Sequence, residues 1–206
     1  MIGVIDYGMG NLGSVANALE FIEAEAKVLV SPAELSHCHA LILPGVGAFG
    51  DCMANLRRSG FVEPLIDWLR SDRPFLGICL GLQLLCETSE ESPGVDGFGL
   101  IPAPVVKFVS SGECKVPQIG WNRITRAPGR DCPLFAGIPD GTYFYFVHSY
   151  YLEGAKEWDA ARTCHGVEYS SAIWRGRIAA VQFHPEKSQQ AGLKLLGNFV
   201  RWSKES

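Results

Sequence analysis

The chain lacks several features that would have settled its class at once. No apolar run is long enough to span a bilayer: the longest nearly apolar one, "FLGICLGLQLLC" from Phe75 to Cys86, contains Gln83 and falls short of the roughly 20 residues a crossing helix needs. No basic residue precedes Lys27, and Asp6 interrupts the opening apolar stretch, so the start does not read as a secretory signal and a cytoplasmic protein is expected. No four like charges stand in a row, and 18 basic residues are balanced by 22 acidic ones for a net charge of -4. That argues against nucleic acid or an anionic membrane as the main partner. The seven cysteines (Cys38, Cys52, Cys79, Cys86, Cys114, Cys132 and Cys164) form no C-x-x-C pair, and an odd number suits reduced thiols better than a disulfide framework. Cys38 beside His39 and Cys164 beside His165 are adjacent pairs without a second spaced pair, unlike structural zinc sites, so no metal is expected. Linkers, internal repeats and low-complexity segments are also missing.

What is present suits one domain spanning 1–206, with 47% hydrophobic residues to bury. Ile2 to Tyr7 reads as a strand, Asn11 to Ala24 as a helix with Leu12, Val15, Leu19 and Ile22 on one stripe, and Lys27 to Val30 and His39 to Leu43 as further strands. Helices are expected at Asp51 to Arg58, Phe61 to Ser71 and Leu80 to Thr88, the last preceded by a short buried strand in "RPFLGI". From Gly99 the runs shorten to "PVVKFV", "YFYFVHSYY" and "IAAVQFH" between Gly, Pro and Asp turns. A closing helix covers Ala191 to Ser203. The alternation predicts an α/β fold with a mostly parallel central sheet flanked by helices and an added antiparallel portion.

Two segments match the dinucleotide fingerprint G-x-G-x-x-G: Gly8 to Gly13 and Gly45 to Gly50. Such a site also needs an acid at the end of the second strand to bond the ribose. That strand ends "VLVSP", with Glu25 before it and Glu34 after it, and no acid completes the second unit either. Neither match reads as a cofactor site.

A stronger constellation lies at "GICLG", Gly77 to Gly81, where a cysteine sits between glycines at a strand-to-helix junction. This is the cysteine form of the nucleophile elbow, in which a sharp turn projects the side chain into a cleft and a helix N-terminus favours the thiolate. Taken alone, Cys79 reads equally well as a core cysteine like Cys86. A partner appears in "VQFHPEKS": His184 follows an alternating run, with Glu186 two residues on and stiff Pro185 between. A carboxylate orienting an imidazole that takes a thiol proton is triad logic.

The segments "PGVGAFGD", "GICLGLQLL" and "FHPEKS" together resemble the class I, triad-type glutamine amidotransferases, a flavodoxin-like family, over essentially the whole chain. Within it, "DYGMGNL", "KVPQIGWN" and "YFVHSYY" are similar to the branch of glutaminase subunits of imidazole glycerol phosphate synthase. The resemblance implies Cys79 as nucleophile, His184 as proton shuttle and Glu186 as its orienter, with no cofactor. It implies an oxyanion hole from the N–H of Leu80 and of Val46 or Gly47, and glutamine contacts from Gly45, Gln83, His148, Ser149 and Tyr150. It further implies a heterodimer with a separate (β/α)8-barrel cyclase, contacted by Asn11, Trp121, Asn122, Tyr145 and Lys187. Gln118 departs from the branch, which commonly has histidine there. A paralogous ammonia donor for another synthase, a cysteine hydrolase or peptidase of similar architecture, and a catalytically silent regulator stand as the other readings.

Overall fold

The computed structural model describes residues 1–112 and 114–205. Five parallel strands form its centre: β1 (Ile2–Ile5), β2 (Ala26–Leu29), β3 (Ala40–Gly45), β4 (Phe75–Cys79) and β13 (Ile178–Val181). They lie in the order β2-β1-β3-β4-β13. Alternation along each strand splits the core in two. Ile2, Val4, Ile42, Leu76, Ile78, Ala179 and Val181 face one layer, while Ile5, Leu41, Leu43, Phe75, Ile178 and Ala180 face the other. The first layer is covered by α1 (Leu12–Phe21) and α5 (Gln189–Trp202), through Val15, Leu19, Leu195, Leu196 and Phe199. The second is covered by α2 (Phe49–Arg58) and α3 (Val62–Arg70), through Phe49, Met53, Leu56, Leu65 and Trp68. Strands apolar on both faces are what a sheet buried between two helix layers requires.

Beyond β13 the sheet turns antiparallel. β12 (Val167–Arg175) pairs with β13 and with β11 (Asp159–His165), and β10 (Tyr150–Leu152) bridges β12 to β6 (Ile101–Lys107). β5 (Cys86–Ser89) closes that edge beside β6, and β8 (Thr125–Arg126) pairs with β11. A separate antiparallel ribbon joins β7 (Gln118–Arg123) to β9 (Tyr143–His148).

Two expectations need correction. The helix expected over Leu80 to Thr88 is the single turn α4 (Leu80–Gln83); the chain then enters β5. The run Leu82, Leu84, Leu85 and Cys86 is fully buried all round, so it carries no helical face, and periodicity could not tell it from a buried strand. The segment "YFYFVHSYY" is two strands in different sheets, broken at Ser149. The strands β11 and β12 were not anticipated at all.

The first two glycines of "GMGNLG" serve the turn from β1 into α1: Gly8 and Gly10 have φ of 83° and 132°, and the Gly8 N–H donates to Asp6 Oδ1 at 2.9 Å. Glu34 has a structural task, accepting from Val30 N, Ser31 N and Lys27 Nζ. Among the described residues no helix is long and apolar enough to cross a membrane.

Candidate active site

The carboxyl ends of β3, β4 and β13 lie side by side, where open α/β sheets place their ligands. Gly45 is in register with Cys79 across β3 and β4. Cys79 ends β4 with φ 55° and ψ -107°, a conformation that costs a non-glycine residue on the order of 1–3 kcal/mol and persists only where its surroundings enforce it. Those surroundings are specific. A Cβ on Gly77 would meet the Gly81 carbonyl oxygen at 2.6 Å, and one on Gly81 would meet the Leu43 carbonyl oxygen at 2.0 Å. Only glycine allows the turn from strand to α4 at that separation. The thiolate-favouring helix end expected beneath Cys79 is a single turn, so local N–H groups act there rather than a long macrodipole.

His184 follows β13 by three residues and opens a 3-10 turn over Pro185–Lys187. Its Nδ1 lies 2.8 Å from Glu186 Oε1, with side chains 2% and 1% exposed. Burial favours the neutral ring, but the Cys79 sulfur and the Glu186 carboxylate, through hydrogen bonding and charge, outweigh it and carry His184 to about 10. The imidazole is held at Nδ1 by the acid, while Nε2 makes no hydrogen bond in this geometry. Thiol, imidazole and carboxylate in that order can generate a nucleophile and shuttle its proton.

A cavity of about 410 Å³ opens over this group. Ten of the residues expected from sequence line it: Val46, Gly47, Cys79, Leu80, Gln83, His148, Ser149, Tyr150, His184 and Lys187. Gly45 sits beneath, where a Cβ would reach Leu80 Cβ at 2.8 Å and the Tyr7 hydroxyl at 2.9 Å, and Glu186 backs the imidazole. Leu80 N–H begins α4 at the cavity floor. The "PGVG" loop is held from below: Tyr7 donates to the Pro44 carbonyl at 3.1 Å, and Cys52 to the Val46 carbonyl at 3.6 Å. With that carbonyl turned toward α2, the Gly47 N–H points the opposite way across the trans peptide.

Glu91 and Pro117 also line the cavity and were not anticipated. Glu91 Oε2 accepts from Phe49 N at 2.7 Å, satisfying the first turn of α2, whose N-cap Ala48 has no side chain to do so. Gln182 was missed as well: fully buried, it points Nε2 at Cys79 Sγ at 3.7 Å.

The residues expected at a partner surface divide. Trp121 and Tyr145 face each other across the β7–β9 ribbon, rings 6.1 Å apart, and Lys187 Nζ lies 6.0 Å from the Tyr145 ring. These three form one cluster, which Lys187 joins to the cavity wall, with Ile119 exposed on the same ribbon. Asn122 is engaged internally, donating to the Cys164 carbonyl at 2.9 Å. Asn11 is half-buried immediately before α1.

An α/β sheet with a cysteine elbow, an acid-paired histidine and a substrate-sized cavity defines a cysteine-nucleophile amide hydrolase. Residues 3–202 match the sequence model of the family Glutamine amidotransferase class-I, and the chain belongs to that family: it is a glutamine amidotransferase. Among its relatives is the imidazole glycerol phosphate synthase subunit HisH of Desulfitobacterium hafniense (strain DSM 10664 / DCB-2), 49% identical over 100% of this chain and 96% of that one. The subunit of the same name from Methanothermobacter thermautotrophicus is 50% identical, covering 97% and 98%. In solved structures the fold recurs in PurLQS from Thermotoga maritima (TM-score 0.76, 17% identity, 98% of both chains). It recurs too in a glutamine amidotransferase from the same organism (TM-score 0.66, 17% identity, 100% of this chain and 98% of that one).

Proposed function

We propose that this chain is the glutaminase subunit of imidazole glycerol phosphate synthase. It hydrolyses glutamine at Cys79 and passes the ammonia to a cyclase subunit, which forms imidazole glycerol phosphate and AICAR in histidine biosynthesis. The observation that carries the chemistry is Cys79 at the tip of β4, sharing one cavity with the His184–Glu186 pair. The full-length likeness to synthase subunits supports the choice of partner.

The Cys79 thiolate attacks the side-chain amide carbon of glutamine, and the carbonyl oxygen takes the negative charge. Leu80 N–H and an N–H of Val46 or Gly47 receive that oxyanion; one such donor is worth about 3 kcal/mol of barrier. The His184 imidazolium gives its proton to the departing nitrogen, which leaves as ammonia, and a glutamyl thioester remains on Cys79. His184, now neutral, takes a proton from water as the water attacks the thioester, and glutamate departs with the thiolate restored. Glu186 keeps the ring in the tautomer with Nδ1 protonated. Glu91 at the rim and the unpaired Gln83 Oε1 are acceptors suited to the α-ammonium of glutamine. Ammonia set free in water at neutral pH becomes ammonium, so direct transfer through the face that carries Trp121, Tyr145 and Lys187 preserves the nucleophile.

The test is glutamate release by the purified chain alone, with the cyclase, and with the cyclase plus its nucleotide ligand. Low activity alone that rises strongly with both is expected. Full activity alone, or no response to this cyclase and a response to another synthase, overturns the named partner.

A further inference from the structure

A run of buried polar groups connects the β7–β9 ribbon to the Cys79 sulfur, and proton counting gives every link a direction. The Tyr150 carbonyl can only accept, and His148 Nδ1 stands 2.7 Å from it, so Nδ1 carries the hydrogen. Burial keeps the ring neutral, lowering His148 to about 3. Nε2 is then a bare acceptor, and it faces the Tyr169 hydroxyl at 3.2 Å. The one proton of Tyr169 belongs there, since its removal would strand a buried nitrogen.

The Tyr169 oxygen therefore wants a donor, and the Gln118 side-chain amide lies 2.9 Å away. With Oε1 toward Tyr169, Gln118 Nε2 is buried without a partner; turning the amide over puts its NH₂ on the Tyr169 oxygen, which settles the Tyr169 proton and leaves the carbonyl oxygen, with its smaller desolvation cost, as the atom without a partner. On the other side of Tyr150, Gln83 Nε2 donates both to that carbonyl at 3.1 Å and to Gln182 Oε1 at 3.0 Å. Because Gln182 Oε1 is occupied as an acceptor, its NH₂ must face Cys79 Sγ. Exposure is 0% for Gln182, 3% for Gln83 and Tyr169, 4% for Gln118 and 7% for His148, so water does not substitute for a lost link.

We infer that Gln182 and Gln118 are positioning residues at the two ends of one hydrogen-bond chain, Gln118–Tyr169–His148–Tyr150 carbonyl–Gln83–Gln182–Cys79, which holds the nucleophile and the cavity wall in register with the partner-facing ribbon. Gln118 opens the strand that next carries Ile119 and Trp121, 64% and 46% exposed. A shift of that strand is felt by the chain's first donor. A histidine at 118 would suit the same role, because an imidazole N–H can supply the same donation to Tyr169. The inference rests on Cys79 as the nucleophile.

A double-mutant cycle tests it. The full chain and its Gln182→Met, Tyr169→Phe and doubly substituted forms are alkylated with iodoacetamide, and labelling of Cys79 is followed by mass spectrometry beside glutaminase kcat and KM. Loss of one buried hydrogen bond predicts about fivefold slower labelling for Gln182→Met and about threefold for Tyr169→Phe, with the double variant near fivefold rather than about fifteenfold. Gln118→Leu is expected to match Tyr169→Phe, and Gln118→His to keep the wild-type rate. Multiplying effects, or unchanged rates in the single variants, overturn the chain. Thermal midpoints are read in parallel, and if Gln182→Met is too unstable, Gln182→Asn, which retains a shortened amide, replaces it in the cycle. If the wild-type Cys79 does not label ahead of the other buried cysteines and Cys79→Ala still hydrolyses glutamine, the nucleophile assignment itself has failed.

Discussion

Glu186 Oε1 stands 2.8 Å from His184 Nδ1 with both side chains almost wholly buried, and this contact shares with the Cys79 sulfur the control of proton behaviour in the proposed site. An imidazole ordinarily titrates near 6.5. Here burial pulls the value down while Cys79 and Glu186 raise it, to about 10. The shift is upward, so the imidazolium survives neutral pH and is lost only as pH rises toward that value. The profile of kcat/KM is expected to show its alkaline limb well above 6.5. Glu186→Gln removes one of the raising partners and should bring that limb down by about one unit or more, a loss of at least about 1.4 kcal/mol. A wild-type limb at 6.5 in a steady-state pH series contradicts the reading.

The elbow makes a prediction about stability. A methyl on Gly81 would sit 2.0 Å from the Leu43 carbonyl oxygen, and backbone cannot yield as a flexible side chain does. Gly81→Ala is expected to cost about 3 kcal/mol or more of unfolding free energy. Gly13 in α1 and Gly197 in α5 have open space where a methyl would stand, so alanine at either should be neutral or stabilising by up to about 1 kcal/mol. Urea titrations of the three variants decide it: equal effects at all three would remove the steric account.

His148 predicts acid sensitivity. Its value is lowered from the ordinary 6.5 to about 3 by burial, so an unfolded chain takes up a proton between those limits that the folded chain refuses. Stability present above 6.5 is lost as pH falls toward 3, at up to about 1.4 kcal/mol per unit. Denaturant unfolding followed from neutral to acid pH should show this slope, and His148→Gln should flatten it. An identical slope in the variant would mean that other groups carry the effect.

Glu91 separates binding from chemistry. With a carboxylate at the cavity rim, Glu91→Ala should raise KM for glutamine about tenfold or more, the worth of a charge-assisted hydrogen bond, with a smaller change in kcat. It also leaves Phe49 N without its acceptor, so some loss of thermal stability accompanies it. An unchanged KM would exclude Glu91 from substrate recognition.

The parallel half of the fold was legible because its strands, apart from the exposed edge strand β2, are apolar on both faces and its helices carry one-sided stripes. The second half was less so: β11 and β12 contain Asp159, Arg162, Glu168, Ser170 and Ser171. Their polarity is absorbed by internal pairs, Arg162 with Asp159 and Glu168, and Thr163 with Ser171. A pattern of hydrophobicity cannot register polar groups that satisfy one another. Within the site, Cys79, His184 and Glu186 were legible because the glycine elbow and the His-x-Glu spacing are local. Glu91 and Gln182 were not, since their relation to the cavity comes from strands and turns packed together in space. Asn122, expected at the partner surface, spends its side-chain amide on the Cys164 carbonyl, a contact between strands that no local motif displays.

The most direct test of the central claim is to quench glutamine turnover in the complex with the cyclase and search for a γ-glutamyl group on the peptide containing Cys79. A thioester on Cys79, absent from a Cys79→Ala chain that has also lost glutamate release, is the predicted result. Continued hydrolysis by Cys79→Ala, or a glutamyl group on another cysteine, would contradict it.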